Sequence, residues 1–594
     1  MAVTRDSRPG RVPSGHRGAA SAAERKTPSG VGLPTVEAAV YALVLLGGLA
    51  LRLGALDLVP LAPSEAANAW SSWSLFRWGT GETTSGPLYA YSSALLIALF
   101  GANDVVPRLM PALAGTAMLP LPLLLRRKLG REASLLATLF LAFSPSLVFF
   151  SRQASASILP ATLSFAVLVF LVAFADSGRP QYLLAASAST GLLLTSGPLA
   201  DFALASCLIV ALAWLLWSFW RRQNLGATVL KTVARVGRDE ASTYALVVAG
   251  VAILVATGAV SDVSGLQRGL VDPLQSGAVS FFTPAGLPWH FYLQMLAVYE
   301  PGLVACGVLG LGFLRMEKGG PRAWFAVWAL VTLGLGAITG NKEPGLVAQM
   351  IVPLALLASF PTAAAWRYVL VKGREATLLA FGVTTVPLLV LLYIVILALP
   401  DPEVPGLALI APLLALALVL AAWSSQVGPR PAAAMAGALA FCVFTLYAFS
   451  ASVNVSFPGQ DRVVPLLASA SPSYDVRNLG LQADNLANLL VLRGAEPTVD
   501  LDANLAPSLA WYLRRQPDLR IGPAEAALAI LPAEATAPPG YVGQRYRIFY
   551  VWEPASLDWR ALARWMLLHE APPAARAQDV MLYAKTQRQL AASR

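Results

Sequence analysis

The chain has 594 residues, of which 56% are hydrophobic and 13% are charged, and its mean hydropathy is +0.62. Soluble domains carry about 25% charged residues. This composition therefore excludes a soluble enzyme, a disordered protein and, despite the net charge of +10, a nucleic-acid-binding domain. The apolar residues form runs near bilayer length, which is typical of a polytopic membrane protein.

The first 34 residues are polar and rich in Arg, Ser, Gly and Pro. This composition predicts a disordered cytoplasmic tail. No short apolar stretch with a small-residue cleavage site follows it, so we do not expect a cleaved signal peptide.

Residues 35–453 are predicted to form the membrane domain, with about 13 transmembrane helices. An odd number of spans puts the two chain ends on opposite sides. With the N-terminus in the cytoplasm, most Lys and Arg residues before residue 454 fall in cytoplasmic loops, as the positive-inside rule requires. The predicted spans are 36–56, 106–125, 132–150, 157–176, 181–197, 202–220, 242–261, 292–313, 322–339, 345–365, 376–399, 405–424 and 431–450.

Two long loops, 57–105 and 262–290, are predicted on the outer side. The first contains an apolar segment at 87–100 that is short for a span and begins after Gly-Pro. It predicts a helix lying along the membrane surface. Long loops of this kind are common places for functional sites.

The composition changes after residue 453, and residues 454–594 have no bilayer-length apolar run. Strand-like segments (TVDLD, ALAILP, YRIFYVW, DVMLYA) alternate with helical ones (NLANLLVLR, SLAWYLRR, DWRALARWMLLH). They predict an extracytoplasmic α/β domain. The three Cys and three His of the chain are scattered without metal-ligand spacing, so we expect neither a disulfide framework nor a His-based metal site.

Short motifs between residues 57 and 160 follow one another in an order that resembles the GT-C membrane glycosyltransferases. That superfamily includes mannosyltransferase-like and aminoarabinose-transferase-like proteins that depend on polyprenyl-phosphate sugars. The motifs are Ser64-Glu65, Gly86-Pro87-Leu88-Tyr89, Phe100-Gly101, Arg108 through Gly115, Leu129-Gly130-Arg131, Ser144-Pro145-Ser146 and Phe149 through Arg152.

Later motifs resemble one subfamily, the flippase-activity-associated proteins of bacteria and archaea, and extend the resemblance from about residue 40 to the end. These motifs are Pro288-Trp289-His290-Phe291-Tyr292, Tyr299-Glu300, Gly340 through Pro344, Trp511 through Arg514 and Trp552-Glu553-Pro554.

The resemblance implies a transferase that takes a sugar from a polyprenyl-phosphate donor and uses a carboxylate of the first outer loop as base or acceptor-orienting group. Some members also bind a divalent cation through acidic groups. Here Ser64 and Ser157 stand where the family has Asp, and Ser85 stands where it has His. Serine holds no negative charge at neutral pH. We therefore expect no metal or other cofactor.

Glu65 is the predicted catalytic residue, and a helix-capping role beside Ser64 is the alternative. Arg152 and Lys342 are predicted to bind the donor phosphate, although basic residues at these positions also snorkel to the interface. Glu300 is a predicted site residue because a carboxylate at membrane depth is costly and usually functional. We expect Glu65, Arg152, Glu300 and Lys342 to converge on one outward-facing cavity.

The remaining predicted positions line the site. Among them, the aromatic side chains either contact a sugar or lipid or belong to the interfacial aromatic belt. The site-lining positions are Ser64, Ser85, Gly86, Pro87, Ser157, Trp289, His290, Tyr299 and Glu300.

The sequence thus predicts an integral plasma (inner) membrane protein that transfers a lipid-linked sugar to an extracytoplasmic glycan, lipid or protein acceptor. Its partners are the lipid-linked donor, the acceptor and the bilayer, with no nucleic acid. Two alternatives stay open. The first is a catalytically degenerate homologue that binds lipid-linked glycan or scaffolds envelope assembly. The second is a lipid or glycan flippase or transporter, which would favour inverted repeats.

Overall fold

The structure is a computed structural model. It describes residues 36–79, 85–220, 238–283, 287–313, 321–340, 342–398, 404, 406–457, 467–468, 470–516, 518–551 and 576–586. The predicted tail at 1–34 lies outside these residues. The chain divides into two units, Met1–Ala42 and Leu43–Arg594, and what is described of the first is the beginning of one helix.

Helices make up most of the described residues before the C-terminal sheet. The first group is α1 (Val36–Leu53), α2 (Pro63–Trp78), α3 (Pro87–Phe100), α4 (Val106–Ala117), α5 (Leu121–Leu124), α6 (Arg126–Leu129), α7 (Arg131–Phe143), α8 (Pro145–Arg152), α9 (Leu159–Ser177), α10 (Pro180–Leu194) and α11 (Ala200–Trp220). The second group is α12 (Arg238–Ala256), α13 (Asp272–Phe282), α14 (Phe291–Tyr299), α15 (Pro301–Phe313), α16 (Pro321–Ile338), α17 (Val347–Lys372), α18 (Glu375–Ala398), α19 (Ile410–Val427) and α20 (Pro429–Ser456).

Seven of the described helices are long and apolar enough to cross a membrane, or up to nine segments if each of two bent pairs counts as one span. The chain is therefore an integral membrane protein by composition and fold, and the count of 13 spans stays a prediction. The seven are Val36–Leu53, Leu159–Ser177, Asp239–Ala256, Pro344–Val371, Glu375–Ile396, Leu407–Val427 and Pro429–Ser456.

Two of the predicted spans are broken helices. The predicted span at 132–150 is α7 followed by α8, bent by 53°, and that at 292–313 is α14 followed by α15, bent by 108°. Each of these predicted spans is therefore built from two helices. Pro145 and Pro301 begin the second helix of each pair. Proline has no N–H to continue the preceding helix, so it fits best at a helix start.

Helix α17 lies at the centre of the membrane domain. Its membrane-length segment is buried throughout, and it packs against α7, α15, α16 and α20. The helices around it expose apolar faces, which a bilayer would cover.

The C-terminal region forms a six-stranded mixed sheet in the order β1-β5-β6-β4-β2-β3. Strand β2 is parallel to β3 and β4, and the other pairs are antiparallel. The sheet confirms the four predicted strand segments as β2, β4, β5 and β6. The elements are β1 (Ala470–Pro472), α21 (Asp475–Leu492), β2 (Thr498–Leu501), α22 (Ala506–Leu509), β3 (Asp518–Ile521), β4 (Leu528–Pro532), β5 (Tyr541–Val551) and β6 (Arg576–Lys585).

The segment predicted as a helix at 508–515 is helical only at its start. The turns after α22 contact the first long loop. Trp511 Nε1 donates to Asp104 Oδ1 over 2.9 Å, and the hydroxyl of Tyr512 accepts the backbone N–H of Leu61 over 2.6 Å. Arg514 donates to the carbonyl of Ala102 over 2.8 Å. The side chains of this segment thus join the sheet to loop 57–105.

Two Ser-Gly-Pro segments, at 85–87 and 196–198, meet backbone to backbone. Gly86 has φ +93° and Gly197 has φ +108°, which are conformations that favour glycine. A Cβ on Gly197 would lie 2.7 Å from the carbonyl oxygen of Ser85. The close approach holds the start of α3 beside the loop that precedes α11.

We predict that Gly197→Ala destabilises the protein by about 1–3 kcal/mol, because it adds both a steric clash and an unfavourable φ. The measurement is thermal unfolding of the purified protein in detergent. Gly250→Ala is the matched control, since a Cβ there meets nothing within 4 Å. Equal melting temperatures for the two variants would contradict this packing.

Candidate functional site

The carboxylate of Glu65 lies in the first turn of α2 and is buried, with 4% of the residue exposed. Its Oε1 accepts hydrogen bonds from Arg108 Nε (3.0 Å) and from the backbone N–H of Ala154 (2.7 Å). Its Oε2 accepts from Arg108 Nη2 (2.7 Å) and from the backbone N–H of Ala62 (2.9 Å). A carboxylate offers about four lone-pair sites, and these donors use them. The geometry therefore favours a capping and structural role over catalysis by Glu65. The expected cap beside Ser64 is corrected in one respect: Ala62 is the N-cap, and Ser64 lies inside the first turn of α2.

Arg108 extends the same network to the loop before α2. Its Nη1 donates to the carbonyls of Leu56 and Val59, both over 2.7 Å, and its Nη2 donates to the carbonyl of Pro60 over 3.0 Å. This pairing was not predicted, because Arg108 lies 43 residues after Glu65 and no local pattern links the two. The one available signal was its place at the head of the Arg108 to Gly115 motif.

Arg152, predicted to hold the donor phosphate, caps the C-terminal end of α1. Its Nη1 donates to the carbonyls of Leu51 (2.8 Å) and Gly54 (2.7 Å), and its Nη2 donates to that of Ala55 (3.1 Å). Carbonyls at a helix C-terminus lack intrahelical partners and carry partial negative charge. The guanidinium is therefore already engaged by the protein itself.

Lys342, the second predicted phosphate-binding residue, caps α16 in the same way. Its Nζ donates to the carbonyls of Thr339 (2.6 Å), Ala337 (3.2 Å) and Gly336 (3.3 Å). With 6% of the residue exposed, it has little surface left for a ligand.

Glu300 joins the two helix breaks. Its Oε1 accepts from Ser144 Oγ (2.5 Å) and from the backbone N–H of Ser146 (3.1 Å), at the bend between α7 and α8. Glu300 itself sits at the bend between α14 and α15, directly after the fully buried Tyr299. This is the structural polar role that a buried carboxylate takes when it satisfies the polar groups of a broken helix.

The predicted convergence of Glu65, Arg152, Glu300 and Lys342 on one cavity is wrong. Glu65 and Arg152 border one small cavity of about 80 Å³, Glu300 borders another of about 20 Å³, and Lys342 lines neither. The physical reason is that each charge serves a different helix end. Trp289 is 65% exposed, and His290 packs edge-on against it.

A polar cavity of about 470 Å³ does bring together the three serines named by the resemblance, Ser64, Ser85 and Ser157. Asn68 joins them: its Nδ2 donates to the carbonyl of Ala154 over 2.9 Å, and its Oδ1 accepts from the Ser85 hydroxyl. We call this the serine cavity. Gly86 and Pro87 are buried beside it and shape the loop that carries Ser85.

Glu343 is the one carboxylate among the described residues that line the serine cavity. The loop 343–345 carries it there, and Tyr292 holds this loop by donating its hydroxyl hydrogen to the Glu343 carbonyl over 2.9 Å. Solvent reaches Glu343, yet partial loss of hydration raises the pKa of its carboxyl above the usual value. Glu343 belongs to the Gly340 to Pro344 motif, but it was not among the predicted site residues.

The serine cavity has a donor set that does not match a protein-built site for a divalent cation. Mg²⁺ and Ca²⁺ take carboxylates as their main protein ligands, and the described lining offers Glu343 together with neutral hydroxyl and amide groups. Within the described ranges, no group of three or more His, Cys, Asp or Glu could hold a metal ion.

We predict that Glu65→Ala strongly destabilises the fold, by about 3–5 kcal/mol, because it leaves the buried Arg108 guanidinium without its counter-ion. The measurement is thermal unfolding in detergent. Glu132→Ala is the control, since its ion pair with Arg367 is exposed and such pairs contribute roughly 1 kcal/mol or less. A stable, well-folded Glu65→Ala protein would overturn the structural assignment of Glu65.

Comparison with known proteins relates this chain to membrane glycosyltransferases. Residues 84–237 match the family described as dolichyl-phosphate-mannose-protein mannosyltransferase. The undecaprenyl phosphate-alpha-4-amino-4-deoxy-L-arabinose arabinosyl transferase of Pseudomonas aeruginosa (strain LESB58) is 27% identical over 234 residues, which cover 38% of each chain. That of Pseudomonas paraeruginosa is 28% identical over 232 residues, again 38% of each chain. The match thus spans well under two thirds of these relatives' length.

The fold comparison extends over nearly the whole chain. ArnT from Cupriavidus metallidurans, solved with undecaprenyl phosphate bound, aligns with a TM-score of 0.53 and 15% identity, covering 91% of this chain and 97% of that one. The same protein in the apo state aligns equally well. At this identity the likeness concerns the fold. Together with the partial family match, it shows that the chain has a fold of the GT-C type.

Proposed function

We propose that the protein transfers a sugar from a polyprenyl-phosphate donor to an acceptor hydroxyl in the serine cavity, with Glu343 as the general base. The observation that carries the proposal is the lining of this cavity, which combines several hydroxyl and amide groups with one accessible carboxylate of raised pKa. Hydroxyl and amide groups suit hydrogen bonding to a sugar, and a base works best when its pKa approaches the working pH.

An apolar groove beside the serine cavity supports a lipid-linked donor. The groove has a volume of about 420 Å³, lies between α9, α11 and α16, and is lined by side chains such as Leu171, Val210 and Trp328. On α9 it begins at Ser164, and Ser157 of the serine cavity lies in the loop directly before this helix. A sugar phosphate in the cavity with its prenyl chain in the groove fits this arrangement.

The proposed step is a displacement at the anomeric carbon of the donor sugar. The acceptor oxygen forms a bond to this carbon, and the bond from the carbon to the phosphate oxygen breaks. Polyprenyl phosphate leaves with the electron pair, and the proton of the acceptor hydroxyl passes to Glu343. The hydroxyls of Ser64, Ser85 and Ser157 orient the sugar. The proposal places the C-terminal domain and this cavity on the outer side of the inner membrane, with the N-terminus in the cytoplasm.

The decisive test is sugar release from undecaprenyl-phosphate-linked hexose and pentose donors by the purified protein, with and without EDTA. We expect turnover that survives EDTA and falls by roughly 100-fold or more in Glu343→Gln, the magnitude typical of a lost general base. Glu534→Gln, a change at an exposed turn of the sheet domain, is the matched control. Normal turnover in Glu343→Gln would show that Glu343 is not the general base.

The pH dependence provides a separate prediction. Because partial loss of hydration raises the pKa of Glu343 and the base acts in its deprotonated form, transfer should slow as pH falls through this raised value. A pH–rate profile of the wild type should therefore show an acidic limb above about pH 4.3, the ordinary pKa of glutamate. Residual activity in Glu343→Gln should lack that limb. A limb that persists unchanged in the variant would assign it to another group.

A second candidate function is binding of a lipid-linked glycan without catalysis. It is favoured by one observation: serines occupy three positions where the resembled family has Asp or His, and the remaining carboxylate of that motif, Glu65, is fully engaged by Arg108. Saturable donor binding with no turnover in the wild type would select this function over the enzyme.

A further inference from the structure

A second and larger cavity lies next to the serine cavity and plays no part in the chemistry proposed above. Its volume is about 1090 Å³, slightly above the roughly 300–1,000 Å³ that ligand pockets span. It is enclosed by α2, α3, the turn at 258–268 and the segment around α22 of the sheet domain. We call it the α2–sheet cavity.

Small residues create the space in this cavity. Each enclosing element contributes Ala or Gly to the wall, among them Ala67, Ala94, Gly265, Ala503 and Ala506. Short side chains from four separate elements therefore leave this cleft open.

The larger side chains of the wall have the chemistry of a saccharide site. Trp70 and Tyr91 supply aromatic surface, on which the C–H face of a pyranose or furanose ring packs. Trp70 is fixed by stacking on Trp73 with ring centroids 5.0 Å apart. The ring of Tyr91 lies against Gly258, where an added Cβ would come within 2.4 Å of it. Both aromatic rings are thus held in place before any ligand binds.

Asp262 and Arg268 supply hydrogen-bonding groups at the same wall. Arg268 Nη2 lies 2.5 Å from Asp262 Oδ2, and the two side chains keep 51% and 37% of their surface exposed. They are the two charged residues in the described part of the lining, and they neutralise each other. A nearly neutral wall gives an anionic ligand no advantage, whereas paired acceptors and donors suit the vicinal hydroxyls of a sugar.

The turn that presents Asp262 is strained. Three consecutive residues, Gly258, Ala259 and Val260, have φ of +55°, +59° and +70°. Positive φ is unfavourable for Ala and more so for a β-branched Val, and such strain tends to persist at binding sites. The backbone N–H of Asp262 then bonds the carbonyl of Thr257 over 3.0 Å, which fixes the carboxylate at the cavity wall.

We propose that the α2–sheet cavity binds the neutral saccharide part of the acceptor; the acceptor assignment rests on the proposed function, while sugar binding does not. The two cavities follow one another along α2. Ser64 and Asn68 face the serine cavity, and Ala67, Trp70 and Ser74 face the α2–sheet cavity. The offset along α2 is about six residues, or roughly 9 Å, which is a short distance for a glycan chain to bridge.

The test measures binding of five neutral trisaccharides, built from glucose, mannose, galactose, arabinose or N-acetylglucosamine, to the full chain in lipid nanodiscs by calorimetry. We expect saturable binding of at least one, weakened roughly tenfold or more by Tyr91→Ala and by Arg268→Gln. Ala503→Trp, a change on an exposed turn that fills the cavity, should abolish it. Arg367→Gln, at a comparably exposed ion pair elsewhere, should leave it unchanged.

Glu343→Gln should also bind the trisaccharide normally, so loss of transfer and loss of this site are separate results. Binding of none of the five sugars, or binding indifferent to all three cavity variants, would overturn the proposal. Saturable binding of glycerol 1-phosphate that depends on Arg268, without sugar binding, would likewise overturn it in favour of a lipid headgroup site.

Discussion

The buried ion pair between Glu65 and Arg108 is the interaction on which the region between membrane and sheet depends. Arg108 donates hydrogen bonds to the Glu65 carboxylate and to three backbone carbonyls of the loop before α2. Without it, this loop would bury backbone groups that have no partner, at a cost of about 1–3 kcal/mol for each. Leu61, at the end of the same loop, donates its backbone N–H to the hydroxyl oxygen of Tyr512 in the sheet domain. One guanidinium thus sets the wall of the serine cavity and the place where the sheet domain attaches.

The other charges of the membrane domain follow the same physical rule. Arg52, fully buried, donates to the carbonyls of Leu141 and Ala142 just before the break between α7 and α8. Arg152 and Lys342 cap helix ends, and Glu300 joins the two bends. In an apolar surrounding, a broken helix leaves backbone groups that water cannot reach, so a side chain must satisfy them. Arg152, Lys342 and Glu300 were predicted to contact a ligand. In the structure they instead hydrogen-bond the polar groups at helix ends and bends.

Helix ends and the loops that follow them surround the two larger cavities. A continuous helix buries its backbone groups and packs closely against its neighbours, whereas a helix end leaves a loop whose direction side chains can set. The serine cavity is enclosed by such loops, at 153–157, 196–199 and 343–345. The α2–sheet cavity is enclosed by the strained turn at 258–262 and by the turns around α22. Helix α2 lines both cavities and gives them a common wall.

The sequence by itself determined the features that depend on local composition. Runs of apolar residues predicted a membrane protein, and alternating apolar residues predicted the segments that form β2, β4, β5 and β6. Both patterns arise from burial along a single segment of the chain. The order of the motifs also led to Ser64, Ser85 and Ser157, which the fold brings to one cavity. The tertiary structure alone decided that Glu65 is held by a residue 43 positions away, that Glu343 is the carboxylate facing the serines, and that small residues of four elements leave a second cavity. The reason is physical: whether a charged side chain is free for a ligand depends on partners that packing supplies from distant parts of the chain, and no local pattern encodes them.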